Sequence, residues 1–429
     1  MSLDRRNFFK VSAGAVAAAY TTAACKTKAP EAPPAKPADP FAALTPMTDG
    51  IAPITDDERL ERQEKARKLM VDNKIAAIVL EGGSSMYYFT GMTWGTSERT
   101  FAWVLPAKGE MGWVTPGFEE SRARELIRFG TDVRIWEEDE SPYKVIAGIL
   151  SDRGIRSGKV GIEQMMRFFI ADGVRLVAPS LQFVNAAPVV QELRLFKSPA
   201  EIALMQKAND ITIAALKAYI PLIQKDMDAN DIRNLSSKAF SALGVTGSFG
   251  AQIDYASSKP HGSIKRFTVQ EGSIVLMDGG CKVVPDGYGS DVTRTIVFGT
   301  PSQEQIDMWN LAKKAQAAAF AAAKIGVPCE DVDAAARKVY TDYGFPGGYK
   351  LPGCPHRTGH GMGVDGHDGL CHLVKGNKRP LQAGMCFSNE PMLVIPDKYG
   401  IRIEDDIYMT PEGVNWFSQP SPSIDQPCV

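Results

Sequence analysis

The chain has 429 residues, roughly two to three times the length of one domain, so two folded domains are expected. Hydrophobic residues make up 44% and charged residues 23%, an ordinary globular composition that excludes a mostly disordered chain. Lys plus Arg number 48 against 50 Asp plus Glu, which argues against a nucleic-acid binder, and no apolar run reaches the ~20 residues needed to span a bilayer.

Asp4-Arg5-Arg6-Asn7-Phe8-Phe9-Lys10 sets two adjacent arginines before a Phe pair and a lysine. A weakly hydrophobic, uncharged, Ala-rich stretch follows over residues 11–24. This order resembles a twin-arginine export signal over residues 1–25, an address read by a receptor; a merely basic N-terminus is the alternative. Thr22-Ala23-Ala24-Cys25 also resembles a lipoprotein processing site, with Thr22 where leucine is usual. Lipidation of Cys25 would tether the mature protein to a membrane, and without it the exported protein would be periplasmic. Residues 26–54, opened by a run dense in Pro and Ala, are expected to be a tether. The cysteines include no C-x-x-C pair, and export after folding in a reducing compartment predicts mostly buried free thiols.

A helix is expected from about residue 56, then strands over 75–80, 101–105 and 112–115, with helical segments among them such as 119–129. These make an α/β domain over residues 55–190. Ser198-Pro199-Ala-Glu201 is a capping box with proline in the first turn, and Ile202, Met205, Ile211, Ala214 and Ala215 follow at helical spacing. A second box, Ser302 to Gln305, opens an Ala-rich helix to about residue 324. Long amphipathic helices mixed with strands make residues 191–429 an α+β domain.

Candidate chemistry lies between His261 and Asp406. Residues 273–278 read as a strand with Ile274, Leu276 and Asp278 on one face, and residues 291–298 as its return after a Pro285-Asp-Gly-Tyr-Gly turn. That hairpin can set Asp278 beside Asp291. Two carboxylates aimed inward are costly unless a cation neutralises them; alternatively, Asp278 simply ends a strand before a Gly279-Gly280 turn. His356, His360 and His367 fall within twelve residues, among glycines at 359, 361, 363 and 366 that disfavour a helix. Each histidine alone could be structural, but three together suggest a site. Phe387-Ser-Asn-Glu390 reads as a strand end, and residues 400–406 as one further strand. There Ile401 and Ile403 face one way and Arg402 and Glu404 the other, so Arg402 could be a simple ion-pair partner for Glu404.

Together the motifs Asp291-Val-Thr-Arg-Thr, Gly359-His-Gly-Met-Gly, Asn389-Glu-Pro and Arg402-Ile-Glu-Asp-Asp resemble the pita-bread metallopeptidases, the family of aminopeptidase P, prolidase and methionine aminopeptidase. The resemblance spans nearly everything after residue 55, including Met86-Tyr-Tyr-Phe-Thr-Gly91, expected as a strand end. It implies an α+β pita-bread catalytic domain behind a smaller creatinase-type domain, and a homodimer. By the family's chain order, Asp278, Asp291, His360, Glu390 and Glu404 would bind two divalent ions. Asp291 and Glu404 would bridge them, Asp278 would complete one shell, and His360 with Glu390 the other. One imidazole among oxygen ligands favours manganese, with cobalt, zinc or iron as alternatives.

The same resemblance makes Glu390 the base for the attacking water, His261 a substrate contact, and His356 and His367 groups that line the primed side and polarise the carbonyl. Arg402 joins the catalytic set. His372 has no counterpart and reads as a surface or structural residue. The implied substrates are proline-containing peptides or dipeptides, cleaved before proline by a Xaa-Pro aminopeptidase or dipeptidase. The 278–291 hairpin is two residues longer than usual at Val284-Pro285-Asp286, Val394 stands where the family has tyrosine, and His367-Asp368 replaces the common His-Glu. A creatinase-like or ectoine-hydrolase-like C–N hydrolase and a noncatalytic binding protein remain as alternatives, although the intact ligand set opposes both.

Overall fold

The computed structural model describes residues 39–369 and 371–428, so the arginine pair and Cys25 lie outside the described residues. Helix α1 (Asp56–Asp72) begins where the Thr55 side chain accepts the Glu58 N–H, and three acidic residues occupy its first turn. Strand β1 (Ile75–Glu81) leads to α2 (Ser84–Thr90), then β2 (Ala102–Pro106), β3 (Gly112–Pro116), α3 (Glu120–Leu126) and β4 (Asp132–Trp136). Helix α4 (Pro142–Asp152), β5 (Gly158–Ile162), α5 (Phe168–Val177) and β6 (Leu181–Asn185) complete the domain.

Its strands form one sheet in the order β4-β3-β2-β1-β5-β6. The β1–β2 and β2–β3 pairs are antiparallel and the others parallel. Both faces are covered: Ile78, Leu80, Trp103 and Leu105 join one core, and Ala77, Val79, Ala102 and Val104 the other. Double burial explains the unbroken apolar run of β1.

Two expectations need correction here. Residues 86–91 are not a strand end but the body of α2, which closes on Gly91 at φ +70, a left-handed cap that glycine adopts freely. Its apolar residues fill the core, with Met86 and Phe89 fully buried. The tether does not extend to residue 54, because Phe41 and Ile54 are buried in the catalytic-domain core and Met47 donates its N–H to Leu243 O.

The second domain runs α6 (Val190–Leu195), α7 (Pro199–Tyr219), α8 (Ala229–Ala242), β7 (Thr246–Ile253), β8 (Ile274–Lys282) and β9 (Val292–Val297). Then come α9 (Gln303–Ala322), α10 (Cys329–Tyr343), β10 (Gly359–His360), β11 (His372–Leu373) and β12 (Cys386–Asn389). Strands β13 (Leu393–Ile395), β14 (Tyr399–Ile401), β15 (Asp405–Thr410) and β16 (Gly413–Trp416) end it. Both expected capping boxes are formed, at Ser198–Glu201 and Ser302–Gln305.

The arrangement is a helix pair on a small sheet, made twice. Helices α7 and α8 pack on β7-β8-β9 around Met205, Ile211, Phe240 and Phe249. Helices α9 and α10 share a second core with β12 and β15, built on Trp309, Ala315, Phe387 and Ile407. A bridge between Thr293 and Glu404 joins the two halves.

Two strand readings also change. Strand β8 does not stop at Gly279-Gly280 but runs through to Lys282. Those glycines serve close packing, since a Cβ on either would collide with the carbonyl of Ser248 or Ser290. Residues 400–406 are not one strand: β14 ends at Ile401 and β15 starts at Asp405, with Glu404 between them in an isolated bridge to Thr293.

Candidate metal centre

Thr293 organises the centre. In the β8–β9 register it stands opposite Asp278, and Asp291, two residues earlier, faces the same side. Its hydroxyl lies 2.9 Å from Asp278 Oδ1 and 2.5 Å from Glu404 Oε2, and it accepts from Arg402 Nε at 2.9 Å. With one proton, the hydroxyl donates to one carboxylate at a time. Behind it, Arg294 donates to Glu404 O at 2.8 Å and pairs with Asp405 at 2.6 Å, both side chains fully buried. The Asp-Val-Thr-Arg-Thr and Arg-Ile-Glu-Asp-Asp motifs are therefore complementary halves of one lock.

From the other half, His360 donates its backbone N–H to Ser388 Oγ at 3.1 Å, and Ser388 Oγ lies 3.2 Å from Glu390 Oε1. Three overlapping groups result, each with ligand atoms within 4.8 Å: Asp278, Asp291 and Glu404; His360, Glu390 and Glu404; and Asp291, His360 and His367.

The electrostatics call for a cation. Burial and mutual repulsion hold the Asp291 and Glu404 carboxyls well above their ordinary range. Burial, aided by Asp278 and opposed by Arg402, pushes Glu390 up to about 7. Arg402 contacts Asp278 Oδ2 at 2.5 Å and stands 3.6 and 3.7 Å from Glu404 and Glu390. It is thus shared by the cluster rather than being the partner of Glu404 alone, and it offsets only one of four carboxylate charges.

Burial also lowers His360 to about 3, so its ring is neutral. Its Nδ1 lies 3.1 Å from Gly361 O, which fixes the proton there. Nε2 then turns a lone pair toward Glu390 Oε1 at 3.4 Å and Asp291 Oδ2 at 3.7 Å. A lone pair among acidic oxygens is satisfied by a shared proton or by a cation, and four carboxyls with one imidazole make a donor set that fits divalent metal.

Every site residue expected from the sequence lines one cavity of about 570 Å³, including His261, His356, His367 and Arg402. His356 is lowered to about 4 by burial, places Nδ1 2.7 Å from Arg357 O, and leaves Nε2 buried without a partner. His367 stacks on His360 at 3.7 Å between ring centres, and its Nδ1 faces Arg357 Nη2 at 3.0 Å. His372 is not on the surface: it is half-buried, paired across β10–β11 with His360.

Several groups escaped sequence reasoning. Thr293, Ser388 and Arg357 carry no ligand signature of their own. Asp333 and Arg337 of α10 clamp the 356–358 loop, Asp333 accepting from Thr358 N–H and Oγ1 and Arg337 reaching His356 O. Asp406, driven up to about 8 by burial, accepts the Asp291 N–H at 3.0 Å. The i, i+4 spacing of Asp333 and Arg337 was the one available hint.

Residues 203–411 match the profile of metallopeptidase family M24, and residues 62–196 that of the creatinase/prolidase N-terminal domain. An uncharacterized peptidase of Schizosaccharomyces pombe is 32% identical over 385 residues, covering 85% of this chain and 82% of its own. The crystal structure of a recombinant prolidase from Thermococcus sibiricus superposes with a TM-score of 0.77 at 29% identity, covering 86% of this chain and 98% of that one. A Xaa-Pro dipeptidase from Bacillus anthracis gives 0.73 at 26%, covering 85% and 98%. With its two-domain order and acidic centre, the chain belongs to metallopeptidase family M24 and is a hydrolase of the pita-bread fold.

Proposed function

We propose that this chain hydrolyses the peptide bond before proline in short peptides, as a Xaa-Pro aminopeptidase or dipeptidase, using two divalent cations held by Asp278, Asp291, His360, Glu390 and Glu404. The observation that carries the reading is the unprotonated His360 Nε2 set against Asp291 and Glu390 inside a four-carboxylate cluster. Glu404 belongs to both three-residue groups that contain acidic pairs, and Asp291 reaches toward His360, so these two would hold cations together with the other three ligands. Oxygen donors with one imidazole favour manganese over cobalt, iron or zinc.

Such ions, when bound, polarise a scissile carbonyl and make water nucleophilic at neutral pH. Glu390 supplies a carboxylate to take a proton from the attacking water and return it to the leaving nitrogen. His356 Nε2, unpartnered in the cavity wall, and His367, oriented by Arg357, remain to hold the peptide carbonyl. Arg402 keeps the carboxylates apart and fixes Asp278.

Likeness to a prolidase and a Xaa-Pro dipeptidase supports the proline preference. The test is a panel of Ala-Pro, Ala-Ala and Ala-Pro-Ala on protein reconstituted with manganese. Expected is cleavage of the proline peptides alone, abolished by chelation. Equal cleavage of Ala-Ala would overturn the proline reading, and cleavage of the dipeptide but not the tripeptide would assign a dipeptidase.

A further inference from the structure

The central cavity has a side cleft. About 360 Å³ in volume, it lies between the start of α8, strand β7 and residues 261–267, and it shares His261 and Asp278 with the candidate metal centre. Three cations line it: Arg233 from α8, and Lys265 and Arg266 from the loop. None of the three forms an ion pair among the described residues, whereas both carboxylates in the same wall are engaged. Asp228 caps its own helix by accepting the Asn230 and Asp231 N–H groups, and Asp278 is held by Arg402. Only Lys265 has a side-chain neighbour for its charge, the Tyr255 ring at 5.4 Å.

The wall facing Arg233 is kept low. Residue 250 is glycine, and a Cβ there would stand 4.0 Å from Arg233 Nη2. Two residues on along β7, and so on the same face, Gln252 carries an Oε1 that is buried without a donor. A buried acceptor without a partner is satisfied by a ligand N–H. Ile253, Ala256 and Phe267 complete the lining with apolar surface. The cleft therefore combines uncompensated positive charge, a free acceptor and an apolar wall, within reach of the centre where the peptide bond would sit.

We propose that this cleft is a carboxylate-reading subsite that makes the enzyme prefer anionic short peptides. Arg233 makes the forked contact that a guanidinium offers a carboxylate, and Lys265 and Arg266 add positive charge from the loop. The carboxylate is that of an acidic side chain beside the scissile bond. The inference rests on the peptidase reading for its biological meaning, but not for its binding chemistry.

The experiment has two arms. In the first, manganese-loaded full-length protein is assayed on Glu-Pro against Gln-Pro, and on Ala-Pro against Ala-Pro-amide. A charge-assisted contact predicts a preference of about 10- to 100-fold for Glu-Pro over Gln-Pro, expressed mainly in KM. The second pair is a control for the C-terminus, and a preference confined to it overturns the subsite. Arg233→Gln and, separately, Arg266→Gln should draw that ratio toward one, and Arg233→Glu should turn the preference toward Lys-Pro. Lys238→Gln, exposed on α8 away from the cleft, should leave the ratio unchanged.

In the second arm, affinities of the same peptides are measured calorimetrically on the turnover-blocked Glu390→Gln protein. Tighter binding of the carboxylate peptide that is lost with Arg233→Gln supports the subsite even if no peptide is cleaved, in which case the peptidase reading alone fails. Cleavage of Ala-Pro with no preference for Glu-Pro over Gln-Pro, or a preference indifferent to both arginine variants, overturns the subsite and leaves the peptidase reading standing.

Discussion

Asp286, at the tip of the β8–β9 hairpin, and Arg59, on α1 of the N-terminal domain, form an ion pair at 2.5 Å with both side chains buried. Asp286 also accepts the Ile54 N–H at 2.8 Å and lies 3.1 Å from the Tyr87 hydroxyl. The hairpin extension noted in the sequence at 284–286 thus ties the two domains together. Asp286→Ala would leave Arg59 buried without its countercharge, which costs about 3–5 kcal/mol. Calorimetry should record a melting temperature lower by several degrees with metal content retained. An unchanged melting temperature would show that the pair does not hold the domains together.

The site was more legible than the fold that carries it. Asp291, His360, Glu390 and Glu404 each fell in a motif of the resembled family and Asp278 followed from its chain order alone, and all five line one cavity. Capping boxes at Ser198 and Ser302 were equally plain, since local hydrogen bonding decides them. What failed was decided by distant contacts. The aromatic run at 86–90 has strand propensity, yet it winds into α2 because Met86 and Phe89 fill the sheet's core. Gly279-Gly280 looked like a turn because glycine's need for space against Ser248 and Ser290 is invisible without the neighbouring strands. Thr293 looked like an ordinary strand threonine.

Removing the metal should change how stability responds to pH. Folded-state values for Asp291, Glu404, Glu390 and Asp406 are raised above those of the unfolded chain, Glu390 to about 7 and Asp406 to about 8. A raised acid binds protons in the folded state that the unfolded state releases, so stability falls as pH rises toward the folded value. Buried His356 and His360, lowered to about 4 and 3, act in the opposite sense only below about pH 6.5. Cys371, drawn down to about 7 by the Cys329 thiol, opposes with a single proton. Between pH 6.5 and 8.5 the chelated protein should therefore lose melting temperature, while the manganese-loaded protein, whose carboxylates stay ionised, should not. Parallel curves for the two forms would reject the cation-binding cluster.

Histidine substitutions should separate by metal content. His360→Ala should lose metal and activity together, since its Nε2 faces both Asp291 and Glu390. His367→Ala should keep most metal yet fall about 10²–10³-fold in rate, the usual cost of a lost oxyanion donor. His372→Ala now has a graded expectation, because it is the cross-strand partner of His360: a modest loss of metal affinity with near-normal turnover once metal is saturating. Metal loss in His367→Ala with retention in His360→Ala would reverse the assignment of the two stacked rings.

Export is a separate expectation, resting on residues 1–25 alone. Changing Arg5 and Arg6 to lysine should retain the protein in the cytoplasm, as seen by cell fractionation. Unchanged export of the double variant would remove the twin-arginine reading without touching the enzyme.

The sharpest test of the layer behind the ligands is Thr293. Valine keeps the β-branched shape at this fully buried strand position but deletes the hydroxyl. Asp278 and Glu404 would then lose a shared hydrogen-bond partner, and Arg402 Nε would lose its acceptor, a buried donor whose abandonment costs about 1–3 kcal/mol. Outer partners that orient metal ligands are typically worth about 10- to 100-fold in metal affinity or activity. Thr293→Val should show a loss of that size in manganese affinity by competitive chelation, with the melting curve still cooperative. Thr293→Ser, which keeps the hydroxyl, should recover most of it. If the valine and serine variants bind manganese equally well, the hydroxyl does not hold the carboxylates in place, and Arg402 alone must set their geometry.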